Sequence, residues 1–190
     1  MKTVTSILFA ALLAPVLSYA GESKQATFAA GCFWCMEAIY DRVPGVTDVV
    51  SGYSGGKEKD PTYKEVSAGK TSHAEAIEIT YDSEKTSYAK LLEVFWKSHD
   101  PTDGRGVKPD FGKQYRSALF YRTEEEKSAI LQSKAALEKR LGKKLATEVS
   151  PFVVFYPAEA YHQDYVKLNP KDSYVRGVSI PRLIETGFKE

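Results

Sequence analysis

Apolar and polar positions along this chain follow two periods, and the places where one gives way to the other mark its elements. Ala26–Gly31 is a short run of small and apolar residues, the pattern of a buried strand. It leads to Gly31-Cys32, after which Phe33–Val43 can wind as a helix until Pro44-Gly45 stops it and turns the chain. Val46–Tyr53 reads as the next strand, followed by a loop through Ser54-Gly55-Gly56 and the charged stretch Lys57–Asp60. Pro61-Thr62-Tyr63 opens a short helix ending near Gly69. In Ala74–Tyr81, residues Ala74, Ala76, Ile77, Ile79 and Tyr81 come close enough to alternation to predict a strand. Thr86–Ser98 carries Tyr88, Leu91, Leu92, Phe95 and Trp96 at helical spacing, an aromatic stripe suited to a core.

The second half continues the alternation. Asp100–Lys113, with Pro101, Gly104, Gly106, Pro109 and Gly112, is long for a loop in a compact domain, and long ordered loops tend to carry function. Gln114–Tyr121 is a strand candidate. Glu124–Leu141 is the clearest amphipathic helix, with Ile130, Leu131, Leu137 and Leu141 expected to face inward and Gly142 as its stop. Glu148–Tyr156 is a last strand, where Pro151 implies an edge or a bulge. After Tyr165 the chain is polar, carries Pro170, Gly177, Pro181 and Gly187, and reads as a long C-terminal coil lying on the surface. Strands and helices mixed in this way, with no repeat or low-complexity linker between them, predict one α/β unit.

Composition narrows the class. Of 190 residues 43% are apolar and 27% charged, which excludes a disordered chain, a collagen-like fibre and a multi-span membrane protein. The net charge is +1, so no broad basic field points to nucleic acid. The N-terminus differs from the rest. Lys2 precedes an apolar run centred on Ile7–Leu17, and Ser18-Tyr19-Ala20 supplies small residues before a cut after Ala20. That layout predicts a cleaved secretory signal peptide over residues 1–20 and a single domain over 21–190. The run is short for a bilayer, which needs about 20 apolar residues, so an uncleaved anchor is the lesser alternative. Removing the segment takes away Lys2 and no acid, leaving a formally neutral exported chain.

Only two cysteines are present, Cys32 and Cys35, and they stand at the predicted strand-to-helix junction. A helix N-terminus offers free N–H groups and a partial positive charge, so a thiol there is expected to be acidified and nucleophilic. The second thiol lies one turn on, within reach of an oxidised first sulfur. A structural disulfide is the other use of such a pair. A loop this short constrains the unfolded chain by only about 2 kcal/mol, which favours redox chemistry. His73-Ala74-Glu75 adds an H-x-E sequence, and His/Cys/Cys is also a zinc-deaminase inventory. The order is reversed here, however, with the cysteines first and no proline before them. Glu75 begins a predicted buried strand, where a carboxyl would keep its proton to higher pH, although a surface glutamate at a strand end is the commoner case. Among the 12 tyrosines, Tyr63 and Tyr115 lie at loop junctions where phenols can point into a cavity.

These residues fall into a pattern. Gly31-Cys32-Phe33-Trp34 with Glu37, then Gly52-Tyr53-Ser54-Gly55-Gly56, resembles the peptide methionine sulfoxide reductase A family. The likeness continues through Pro61-Thr62-Tyr63, His73-Ala74-Glu75-Ala76, Phe95-Trp96 and His99-Asp100-Pro101. Further on it takes in Gly112-Lys113-Gln114-Tyr115-Arg116-Ser117, Ala158-Glu159, His162-Gln163 and Asn169-Pro170. The resemblance implies a two-layer α/β sandwich with a mixed sheet flanked by helices. It also implies reduction of methionine S-sulfoxide, free or within oxidised proteins. Cys32 matches the family's nucleophile and Phe33-Trp34 the pocket for the substrate methyl group. Glu75 matches the acid that protonates the sulfoxide oxygen, with Tyr63 and Tyr115 holding it. Asp110 falls in a matching loop that orders the site.

A sulfoxide oxygen leaves poorly unless protonated or strongly hydrogen-bonded, so a neutral acid and two phenols beside a thiolate suit this chemistry. Attack on sulfur leaves Cys32 as a sulfenic acid, which condenses with a nearby thiol. Many members of the family carry that thiol in the C-terminal tail, whereas Lys167–Glu190 holds no cysteine. Cys35 is therefore expected to resolve the sulfenic acid, with recycling by an external thioredoxin-like dithiol. No bound cofactor or metal, no nucleic-acid partner and no stable membrane association are expected, and the chain is expected to act as a monomer in the periplasm or outside the cell. The rivals are a dithiol oxidoreductase acting on protein disulfides and a secreted binding module with a structural disulfide.

Overall fold

The computed structural model describes residues 22–189, so the predicted signal segment lies outside the described residues. Six strands form one mixed sheet: β1 (Ser23–Ala30), β2 (Val46–Ser54), β3 (Ala74–Asp82), β6 (Ser117–Tyr121), β7 (Glu148–Pro151) and β8 (Phe155–Pro157). Their order across the sheet is β7-β6-β1-β3-β2-β8. All neighbours run antiparallel except β6 and β7, which are parallel. The strand expected over Glu148–Tyr156 is thus two strands on opposite edges, and Pro151 closes the first, where a missing N–H breaks no ladder. The long loop Asp100–Lys113 contains a small hairpin, β4 (Gly106–Val107) with β5 (Asp110–Phe111).

Strand periodicity sorts the sheet into two faces. Ala26, Phe28 and Ala30 of β1, Ile77 and Ile79 of β3, and Val49 and Tyr53 of β2 share a core with three helices. These are α1 (Phe33–Tyr40), α3 (Tyr88–Lys97) and α4 (Glu124–Leu141). The intervening residues Ala29, Ala74, Ala76, Ala118 and Phe120 form a thinner apolar layer on the other face, covered by Phe152 and Phe155. The result is the two-layer α/β sandwich that the family resemblance implied. In α4 only Ile130 and Leu137 turn inward; Leu131 and Leu141, expected inside, are 47% and 44% exposed. Ile130 and Leu137 are two turns apart on one line, and the sheet needs no wider stripe from this helix.

The C-terminal segment departs most from the sequence reading. It is a docked chain of short helices rather than a surface coil: α5 (Tyr165–Leu168), a π-helical turn over Val175–Ser179, and α6 (Ile180–Glu185). Val175 and Leu183 are fully buried and Arg182 nearly so. The cause lies in α1. Seven of its eight residues, Phe33, Cys35, Met36, Glu37, Ala38, Ile39 and Tyr40, are buried. A helix apolar on nearly every side cannot be covered by one sheet. The C-terminal segment supplies the second cover, with Val166 and Val175 against Ala38.

Candidate active site

Strand β1 ends at Ala30, and Gly31 turns the chain into α1 with φ +74. A side chain there would be strained, and its Cβ would lie 2.7 Å from that of Val107. This close approach brings the β4–β5 hairpin against the junction. Cys32 caps α1, its carbonyl accepting from the Met36 N–H at 3.3 Å. Both cysteines are buried thiols. Cys35 Sγ lies 3.2 Å from Ser179 Oγ, with the thiol donating.

Strand parity also places Glu75. It shares its face of β3 with Ile77 and Ile79, so it points under α1 and is only 2% exposed. Its Oε2 accepts the Phe33 N–H at 3.1 Å, one of the free donors of the first helical turn. Burial pushes its carboxyl up to about 8, against the lowering effect of that hydrogen bond, and the nearby charges of Asp110 and Cys35 add to the rise. Glu75 is therefore a neutral acid at pH 7.

A cavity of about 130 Å³ opens over these groups. Cys32, Phe33, Trp34 and Glu75 line it, together with Tyr63 at the start of the short helix α2 (Tyr63–Ser67), Asp110 of β5 and Tyr115 of the 3-10 turn Lys113–Tyr115. Every residue that the resemblance assigned to the nucleophile, the acid, the two phenols, the methyl pocket and the ordering loop is thus in the cavity wall, whereas Cys35 is buried and does not line it. Burial lifts the Tyr63 phenol to about 12 and raises that of Tyr115, so both stay protonated and able to donate. Tyr174 completes the wall and donates its hydroxyl proton to Asp110 Oδ2. Sequence reasoning missed Tyr174 because it lies in the segment read as coil.

The aromatic side of the cavity is locked by neighbours. Trp34 Nε1 donates to His162 Nδ1 at 3.1 Å, and the indole stacks on Tyr165 at 3.7 Å between ring centres. Phe33 lies against His162 and Tyr63, with centroids 5.0 and 6.2 Å away. Burial lowers the His162 pKa, so the ring is neutral; with Nδ1 accepting, its proton sits on Nε2, 4.0 Å from Glu159 Oε2. Several motif residues that no chemistry claimed hold this wall in place. Glu37 accepts from Ser51 Oγ at 3.1 Å and from the Asp164 N–H at 3.0 Å, while burial pushes its carboxyl up to about 7. Glu159 accepts from Tyr53 Oη at 2.8 Å and the Tyr63 N–H at 2.9 Å. Gln163 bridges both backbone groups of Ser51.

His73 serves a different purpose from metal ligation. Its Nδ1 accepts the Gly56 N–H at 3.2 Å and its Nε2 faces the Glu58 carbonyl at 2.8 Å, so both ring nitrogens are engaged in shaping the 54–58 loop.

The thiols titrate as a pair, and here the expectation of an acidified Cys32 is corrected. Burial pushes Cys32 well up, and the neighbouring Cys35 and Glu75 add to it. Cys35 is pushed down to about 6, first by the hydrogen bond from Cys32, then by the Arg182 charge and Ser179, against its own burial. The helix N-terminus acts locally, whereas full desolvation of the sulfur outweighs it. One thiolate belongs to the pair, and the charge and hydroxyl behind Cys35 favour it there.

Comparisons with known proteins agree with this geometry. Residues 24–186 match the family model described as "Peptide methionine sulfoxide reductase". The peptide methionine sulfoxide reductase MsrA of Leptospira borgpetersenii serovar Hardjo-bovis (strain L550) is 44% identical over 169 residues, covering 87% of this chain and 96% of that protein. That of Listeria monocytogenes serotype 4a (strain HCC23) is 51% identical over 146 residues, covering 76% and 82%. Among solved structures, Mxr1 from Saccharomyces cerevisiae in reduced form superposes with a TM-score of 0.75 at 35% identity, over 79% of this chain and 87% of that one. The same yeast protein has also been solved in complex with Trx2. A family match over nearly the whole described chain, relatives of this identity and a shared sandwich place this chain in the peptide methionine sulfoxide reductase family.

Proposed function

We propose that this enzyme reduces methionine S-sulfoxide, free or in oxidised proteins, by a thiol cycle confined to Cys32 and Cys35. The observation that carries the reading is a buried, neutral Glu75 sharing a cavity of about 130 Å³ with Cys32, two donor phenols and an aromatic wall. Phe33 and Trp34 would hold the substrate methyl group, and Tyr63 and Tyr115 would hold the sulfoxide oxygen while Glu75 gives it a proton. The charge of the thiol pair passes from Cys35 to Cys32 by a shift of the proton between them. Cys32 Sγ then bonds to the sulfoxide sulfur; the protonated oxygen transfers to Cys32 as the substrate S–O bond and the transient S–S bond break, so methionine leaves and Cys32 is left as sulfenic acid. Asp110, held by Tyr174, would keep the mouth of the site ordered.

Cys35 then attacks the sulfenic sulfur. The S–O bond breaks, an S–S bond forms, and the oxygen departs as water with two protons. An external dithiol reduces the disulfide. Complex formation between the yeast relative and Trx2 supports a thioredoxin-like reductant. The choice of the S epimer rests on the family. The apolar segment at Ile7–Leu17 supports export to the periplasm or beyond, with residues 21–190 acting as a single monomeric domain. No bound cofactor or metal, no nucleic-acid partner and no stable membrane association form part of this reading.

Separated S and R sulfoxides with dithiothreitol test the reaction, and turnover should be confined to S. Cys32→Ser should release no burst of methionine; a burst of wild-type size would remove Cys32 as nucleophile. Cys35→Ser should give a burst of full amplitude, accumulate sulfenic acid and stall with thioredoxin. Full-rate cycling of Cys35→Ser would sink the two-cysteine cycle.

A further inference from the structure

The C-terminal segment places two polar side chains against the cysteine turn, three positions apart across the end of a π-helical turn. Ser179 is 1% exposed, and its Oγ is the group 3.2 Å from Cys35 Sγ. Arg182 is 8% exposed, and among the described residues its guanidinium forms no ion pair with a carboxylate. Its partners are carbonyls and a thioether. Nε donates to Ser98 O at 2.6 Å, and Nη2 to Ala30 O at 2.6 Å and Met36 Sδ at 3.2 Å. Nη1 lies 3.3 Å from where a Cβ on Gly31 would stand. The cation thus touches both flanks of the Cys32–Cys35 turn, Ala30-Gly31 on one side and Met36 on the other.

A buried cation is costly unless an anion compensates it. The anion within its field that the mechanism needs is the thiolate of the cysteine pair. Ser179 complements the charge, because its hydroxyl can rotate to donate once Cys35 has lost its proton. π-helical turns are frequent at functional sites, and this one offers Ser179 to the thiol from a segment that Val175 anchors in an apolar cluster with Ala38.

We propose that Ser179 and Arg182 are positioning residues that hold Cys35 as the resolving thiolate, and so set both the speed of disulfide closure and how readily the disulfide is reduced. The inference rests on the two-cysteine cycle proposed above. In the step concerned, Cys35 S⁻ bonds to the sulfenic sulfur of Cys32, and the S–O bond breaks. The oxygen leaves as water, taking its own proton and one more. The oxidising equivalents come from the sulfoxide already reduced. The groups whose charge bears on Cys35 are Cys32, which caps its helix, and Glu75, Asp110, Tyr174 and Arg182 opposite. Stabilising this thiolate stabilises the reduced enzyme, which makes the disulfide a better acceptor of electrons from the external dithiol.

Ser179→Ala is the main test, because it removes one oxygen and no apolar contact. Loss of a hydrogen bond to a charged group changes an equilibrium by roughly tenfold or more. The ultraviolet thiolate titration of the reduced enzyme should begin near pH 6 in wild type and shift up by about one pH unit in the variant. Disulfide closure, followed by loss of free thiol after one equivalent of sulfoxide, should slow roughly tenfold, and reduction by dithiothreitol should become roughly tenfold less favourable. Arg182→Gln should move all three readouts the same way, and Arg182→Lys should recover part of the thiolate shift by restoring charge. A wild-type titration and closure rate in both Ser179→Ala and Arg182→Gln would overturn the proposal, whatever happens to their melting temperatures. Failure of the underlying cycle looks different: Cys35→Ser would then turn over at full rate. A stalled Cys35→Ser beside an unperturbed Ser179→Ala and Arg182→Gln sinks only the positioning role of Ser179 and Arg182.

Discussion

Replacing Glu75 by glutamine removes the transferable proton from the cavity, while the amide keeps the size of the side chain and its oxygen still accepts the Phe33 N–H. Two consequences follow from the burial of this carboxyl. The first is kinetic. A group held at about 8 is protonated through neutrality and loses its proton as pH rises through that value, while the thiol pair acquires its charge as pH rises through about 6. The rate of methionine release in a single turnover should therefore be bell-shaped, with a plateau between these limbs that belong to the coupled site. Glu75→Gln should lower the plateau by roughly 10²–10⁴-fold, the worth of a positioned general acid, and should erase the alkaline limb while leaving the acid one.

The second consequence is in stability. A carboxyl raised from 4.5 to about 8 on folding takes up a proton when the chain folds within that window. Its contribution is fully present below pH 4.5 and is lost as pH rises through about 8. Each pH unit across the window costs ~1.4 kcal/mol, so the whole loss is about 5 kcal/mol. Urea melts of reduced wild type and Glu75→Gln at pH 5 and pH 8 isolate this contribution, because the parallel loss from Glu37 is common to both proteins. The glutamine variant should gain stability relative to wild type as pH rises. A variant that retains the alkaline kinetic limb, or a stability difference that does not change with pH, would refute the reading of Glu75 as a buried neutral acid.

The remaining predictions concern groups around that carboxyl. Tyr63→Phe and Tyr115→Phe should each slow methionine release by roughly ten- to a hundredfold at unchanged fold stability, since each deletes one donor to the sulfoxide oxygen; single-turnover rates check this, and a wild-type rate in the double variant would remove the phenols from the chemistry. Glu37→Ala leaves the Ser51 hydroxyl and the Asp164 N–H without their buried acceptor, and should destabilise the reduced enzyme by about 2–4 kcal/mol in urea melts at pH 5, where the carboxyl is neutral. At pH 8 the destabilisation should be smaller, because burial raises the carboxyl from 4.5 to about 7, so wild type loses stability as pH rises through that window and the alanine variant does not.

Which parts of this enzyme were readable in the sequence follows from how far each signal reaches along the chain. The alternation Glu75, Ile77, Ile79 within one strand already assigns the acid to the apolar face, and strand parity is a property of neighbouring residues. Cys32, Phe33 and Trp34 come together because a strand, one glycine and a helix are consecutive. The C-terminal helices escaped because four to six residues between prolines and glycines carry no usable period; they are helical because Val175 and Leu183 bury against the rest of the protein. The sign was present elsewhere, in Phe33–Tyr40, where an almost wholly apolar helix needs a second cover that no predicted element supplied.

The charge state of the thiols escaped for a related reason. A helix dipole can be inferred from local sequence, but desolvation of Cys32 and the hydroxyl and guanidinium behind Cys35 come from the tertiary fold. Ser179 lies 144 residues from Cys35 in sequence, so a reading that treated the last segment as coil could place the two cysteines but not the anion they share. Position on an element and protonation state are thus separate problems: the first is set by periodicity, and the second by whatever the whole chain brings within a few ångströms.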